Sequence, residues 1–142
     1  MDMKSKITFL VVLFGLTGLH FSFKNALEEK GAFDPSKQKY QECIDACNNC
    51  ASMCANCASE CLSAKETNLN RCIQFCLETA SICRSASELM SLNSDKVKEI
   101  CKTCADLCNK CREECMKHNY DHCKECADAC KKAEDLCMNM SK

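Results

Sequence analysis

The chain reads as two unlike stretches. From Ile7 to Leu19 runs an uncharged, mostly apolar segment of 13 residues, preceded by Lys4 and Lys6. Beyond Pro35 the apolar positions recur in steps of three and four instead. Cysteines fall at Cys43, Cys47, Cys50, Cys54, Cys57 and Cys61, then at Cys72, Cys76 and Cys83. They resume at Cys101, Cys104, Cys108, Cys111 and Cys115, and again at Cys123, Cys126, Cys130 and Cys137. Those steps are the seam period of a helix bundle. Thr79 and Ala133 fill two missed heptad sites, and Leu69, Ala86, Met90, Val97, His118 and Met140 prolong the stripes.

All three glycines and the single proline lie within the first 35 residues. Nothing from Ser36 to Lys142 therefore breaks a helix. Asp34 followed by Pro35 suits a helix start. Polar punctuation at Lys65–Asn68, Asn93–Asp95 and His118–Asp121 divides the remainder into four helices, near 35–64, 68–91, 95–117 and 120–139. The connections are short, so sequence neighbours pack antiparallel. The expected fold is all-α: an antiparallel up-down four-helix bundle with a Cys-lined core over residues 35–142. The motif Cys-x-x-Cys-Ala-[Ser/Asp]-x-Cys, at 47–54, 54–61, 101–108 and 123–130, repeats within it. Its alanine flanks the stripe and lets helices approach closely.

The first stretch reads as an address. A membrane span needs about 20 apolar residues, whereas a signal-peptide core needs roughly 7–15. Residues 1–23 are thus expected to be a signal peptide, cut between Ser22 and Ala26, with 24–34 as a linker. No Arg-Arg pair is present, so the expected route is Sec-type export of an unfolded chain. The expected location is the periplasm, with no membrane contact for the mature form.

Composition narrows the chemistry. Eighteen of 142 residues are cysteine, there is no Trp, and aromatic side chains are limited to six Phe and two Tyr. Cysteine must therefore fill much of the interior. Lys plus Arg is 19 against 20 Asp plus Glu, a net charge of −1. That balance leaves no footprint for nucleic acid or an anionic membrane. Paired Glu-x-x-His motifs of di-iron bundles are missing, as is any Ser, His and acid constellation. An enzyme is not expected.

Three readings compete for the thiols. Pure packing is poor, because identical small residues specify a core weakly. A disulfide-stapled structural or interaction protein is the default for an exported Cys-rich chain. However, i,i+3 and i,i+4 neighbours have Cβ atoms about 5–6 Å apart, while a disulfide needs about 3.8 Å. Metal fits the spacing better, since two metal–sulfur bonds of roughly 2.3 Å each join such neighbours without breaking the helix. Soft thiolates select Cu(I), zinc or iron–sulfur clusters. Tetrathiolate zinc carries about −2 per site, costly to bury repeatedly. Cu(I) shared between bridging thiolates leaves the core neutral, with a capacity of about one ion per Cys. General Zn or Cd sequestration remains an alternative.

Over 35–142 this pattern of Cys-x-x-x-Cys and Cys-x-x-Cys steps resembles the bacterial copper storage proteins. The resemblance implies that Cys residues line the bundle and hold many Cu(I) ions. It carries over to all eighteen cysteines named above. It also implies a homo-oligomer, a tetramer, and a copper-accepting protein as partner.

The two bundle ends differ in composition. One gathers Tyr40, Ile44, Leu89, Met90, Leu92, Val97, Ile100, Met138 and Met140, and is expected to be plugged by apolar groups. The other carries Cys61, Cys72, His118 and His122. Metal is expected to pass through the His end, with His118, which falls on the stripe, as a ligand. Thioethers at Met90 and Met140 offer a route at the opposite end, though methionine there also serves as filler. Met53, beside the stripe, has the same two readings.

Overall fold

A computed structural model describes residues 35–65 and 67–142. The expected signal peptide and linker lie outside the described residues. Four helices follow in order: α1 (Pro35–Ala64), α2 (Asn70–Ser91), α3 (Val97–Cys115) and α4 (Asp121–Met140), with a 3₁₀ turn at Thr67–Leu69 before α2. No strand occurs among the described residues. At about 1.5 Å per residue, the 30-residue α1 is the longest element.

Each break has its own chemistry. Lys65 closes α1 in the left-handed region (φ 55°), so a lysine and not Asn68 makes that turn. Asn93 behaves as its side chain suggests, with φ 48°. Its N–H donates to the Met90 carbonyl at 3.1 Å and the Ser94 N–H to the Leu89 carbonyl at 3.0 Å. Those two bonds form the Schellman closure that satisfies the last carbonyls of α2. The Ser94 hydroxyl then accepts the Lys96 N–H at 3.2 Å just ahead of α3. Extended Tyr120 (φ −103°, ψ 146°) precedes α4.

Sequence neighbours pack side by side, and α1 closes the ring against α4. Thiol partners establish the antiparallel sense. Along α2 and α3, Cys72 faces Cys115, Cys76 faces Cys111 and Cys83 faces Cys104. Along α1 and α4, Cys43 faces Cys137, Cys50 faces Cys130 and Cys57 faces Cys123. Numbers rise on one helix as they fall on the other.

Small residues fill the interior. Every cysteine is at most 2% exposed. The motif alanines Ala51, Ala58, Ala105 and Ala127 are buried beside them, which lets the helices close on a core made largely of sulfur. Among the described residues, only Leu69, Met90 and Thr79 exceed cysteine among the largest fully buried side chains. Thr79 occupies a missed heptad site with its hydroxyl satisfied, donating to the Leu107 carbonyl at 3.2 Å. On the outer side, Arg112 Nε donates to Glu134 Oε2 at 3.2 Å and ties α3 to α4.

The plugged end needs revision. Met90 and Val97 are buried there, but Leu92 (75% exposed) and Met138 (48% exposed) remain in water. The Schellman turn carries Leu92 off the helix axis, and Met138 lies next to the stripe rather than on it. The seal at this end is therefore narrower than composition suggested.

Candidate metal centre

The thiols form two zippers. In the first, between α1 and α4, Cys137 Sγ lies 3.7 Å from Cys43 and 3.5 Å from Cys47. Cys130 lies 3.7 Å from both Cys50 and Cys54, and Cys126 lies 3.5 Å from Cys54. In the second, between α2 and α3, Cys83 stands 3.5 Å from Cys104 and 3.7 Å from Cys108. Cys72 and Cys115 are 3.6 Å apart. Bridges at Cys76–Cys126 (3.8 Å) and Cys61–Cys72 (4.0 Å) join the zippers into one column. All eighteen thiols are free. Their spacing is well beyond a sulfur–sulfur bond of about 2.05 Å.

That spacing suits metal. Three sets of four sulfurs, Cys54/Cys111/Cys126/Cys130, Cys57/Cys76/Cys115/Cys126 and Cys57/Cys61/Cys72/Cys123, lie with their Sγ atoms within 4.8 Å of one another. So do the sets of three Cys43/Cys101/Cys137 and Cys47/Cys104/Cys137. Cys57, Cys126 and Cys137 each belong to two sets. Shared sulfurs are what bridging coordination requires, and a pair of metal–sulfur bonds of roughly 2.3 Å spans these gaps.

Proton positions follow from crowding. Burial pushes the Cys61 thiol up to about 12, with the charges of Cys57 and Cys72 adding to it. Cys123 is raised for the same leading reason. Deeper in, S–H donors led by Cys115 pull Cys111 down, while the contact with Cys111 holds Cys76 protonated. Near the far end, the S–H of Cys137 lowers Cys101 to about 4, and that same contact raises Cys137. Contacts between thiols thus drive partners in opposite directions. The thiolate is the form that takes a soft cation, and metal binding displaces thiol protons.

The His end is more polar than its stripe suggests. Helix α3 stops at Cys115, three residues before His118. Its ring lies by Glu114, Nε2 to Oε1 at 3.7 Å, and Nε2 is buried with no hydrogen-bond partner. Glu114 is itself buried, with Lys117 Nζ at 2.7 Å and Arg71 Nε at 3.4 Å from Oε2. His122 Nε2 reaches Cys61 Sγ at 3.5 Å, and its ring stacks on Tyr120 with centroids 5.2 Å apart. Periodicity overlooked His122 because a residue adjacent to Cys123 cannot share its stripe. Its signal was proximity to the turn. Met90 Sδ lies 4.0 Å from Cys101 Sγ, whereas Met53 and Met140 pack on the core from its rim.

Comparison with known proteins supports this geometry. A family model described as copper storage protein matches residues 36–142. The apo form of copper storage protein 3 from Bacillus subtilis aligns with a TM-score of 0.68 at 40% identity, over 72% of this chain and 99% of that one. A Cu(I)-bound copper storage protein, BsCsp3, gives 0.70 at 39% identity, over 72% and 98%. A cytosolic copper storage protein from Streptomyces lividans, carrying five coppers, gives 0.69 at 28% identity, over 75% and 94%. The uncharacterized cysteine-rich protein YhjQ of Bacillus subtilis is 49% identical over 37 residues, 26% of this chain and 34% of that protein. The chain thus matches about a third of that curated relative's length.

The expectation of export to the periplasm is overturned. The similar Streptomyces lividans protein is a cytosolic one. The apolar run that suggested export falls outside the described residues.

Proposed function

Because the chain belongs to the copper storage protein family, whose model matches residues 36–142, we propose how its bundle holds the metal. The protein binds and stores many Cu(I) ions through cysteine thiolates lining the bundle core. The ligands are the eighteen cysteines of the two zippers, and the copper is cargo, taken up on the order of one ion per Cys. The carrying observation is the continuity of the column, with buried sulfurs 3.5–4.0 Å apart across all four helices. A few isolated sites would not need it.

Uptake proceeds from the His end. His122 stands against Cys61, and His118 offers a buried, unpaired Nε2, so both imidazoles serve as ligands for arriving metal. Each Cu(I) that moves inward replaces thiol protons, which leave through the same polar end. Thiolates that bridge neighbouring ions keep the filled column close to neutral, removing the cost of burying unpaired charge. Closed sulfur coordination leaves no open position for a substrate, so the role is storage without catalysis. The cytosolic relative favours a cytosolic site of action. Self-association and hand-over to a copper-accepting protein complete the proposal.

Anaerobic titration of the reduced chain with Cu(I) against a coloured chelator tests it. Binding of about one ion per Cys is expected. Saturation at a few ions would rule out the storage reading.

A further inference from the structure

A column of bridged thiolates has a problem at its ends. In the interior each sulfur is shared by two ions, so charge is balanced. A terminal ion has a neighbour on one side only, and every thiolate added to complete its coordination contributes a buried charge nothing else offsets. A neutral donor avoids that. At the His end an imidazole stands there, His122 Nε2 at 3.5 Å from Cys61 Sγ. An imidazole ligates through an uncharged nitrogen.

Among the described residues the opposite end has no histidine. The last sulfurs there are Cys43, Cys101 and Cys137, mutually within 4.8 Å. Beside them lies Met90, 1% exposed, with Sδ 4.0 Å from Cys101 Sγ. It takes the stripe position that a cysteine would otherwise hold on α2, one heptad beyond Cys83. A thioether is soft, uncharged and carries no proton to displace, and it suits Cu(I). Leucine would fill the same volume without offering a donor.

Resting on the storage reading above, we infer that Met90, with Cys43, Cys101 and Cys137, forms a mixed thioether–thiolate site that terminates the copper column at the end away from the histidines.

The test uses the full chain labelled with selenomethionine and loaded with Cu(I) without oxygen. Selenium-edge absorption spectra should show a copper neighbour. Met90→Leu should abolish that neighbour and lower saturation by about one ion, Met90→Cys should restore the ion, and Met140→Leu should keep the selenium–copper signal. Full loading with no copper around selenium overturns the inference, and the wild-type spectrum decides this even if a variant folds poorly. A signal that survives Met90→Leu or is lost in Met140→Leu overturns it too. Failure to take up copper at all would instead bring down the storage reading, and this inference with it.

Discussion

The two ends of the bundle terminate the same sulfur column in opposite ways. At one, His118 lies by Glu114, which also holds Lys117 and Arg71, and His122 stands against Cys61. At the other, Met90 and Val97 are sealed beneath a Schellman turn at Asn93. One end offers imidazole nitrogens, the other a thioether. Under the proposals above, metal enters at the imidazole end and is retained at the dry thioether end, which would give a tube of equivalent thiols a direction.

The largest effect should come from filling the column, and it tests whether both ends take part. Sites filled at a hundred times their dissociation constant stabilise the fold by about 2.7 kcal/mol each. Copper loading should raise the melting midpoint and slow amide exchange near Met90 as well as near Cys61. Protection confined to the His end would mean that the far end stays empty.

Removing both imidazoles comes next. The double variant His118→Ala/His122→Ala should take up Cu(I) about tenfold more slowly in stopped-flow transfer from a chelator. Leu92→Ala, on an exposed side chain at the other end, should load at the wild-type rate. Equal slowing in both would abolish the direction.

Glu114→Gln should destabilise the apo fold by about 1 kcal/mol, read from urea unfolding, because Lys117 and Arg71 lose their shared buried carboxylate. Surface pairs such as Lys131–Asp135, both half-exposed, contribute little and serve as the control.

The mildest effect concerns pH. Cys61 goes from 9.0 to about 12 on folding, so between those values the native state holds the proton that the unfolded chain has lost. That stability is complete below pH 9.0 and lost as pH rises through about 12. The apo melting midpoint should thus fall by a few degrees per pH unit above about 9. Copper-loaded protein, its thiols already deprotonated, should be flat over the same range.

Much of this was legible in the residues. The steps of three and four placed all eighteen cysteines inside, because helical periodicity fixes the face that a side chain occupies. The absence of Gly and Pro after Pro35 gave four helices with ends within two residues of those observed, apart from the 3₁₀ turn at Thr67–Leu69. The choice between His118 and His122 was less accessible. It depends on α3 ending at Cys115 and on the Tyr120 turn that swings His122 over Cys61. Likewise, nothing in the order of residues distinguished Leu92, left in water, from Met90, buried beside Cys101.

By itself, then, the sequence determined an all-helical chain with one thiol stripe per helix, since spacing and the lack of helix breakers act locally. Only the tertiary structure decided which sulfurs meet across helices, which are shared between metal-sized groups, and which imidazole and thioether lie beside the end sulfurs. Those depend on the axial register between helices and the path of each turn. Both are set by how the small alanine and cysteine side chains interlock, and the period of any single helix leaves them open.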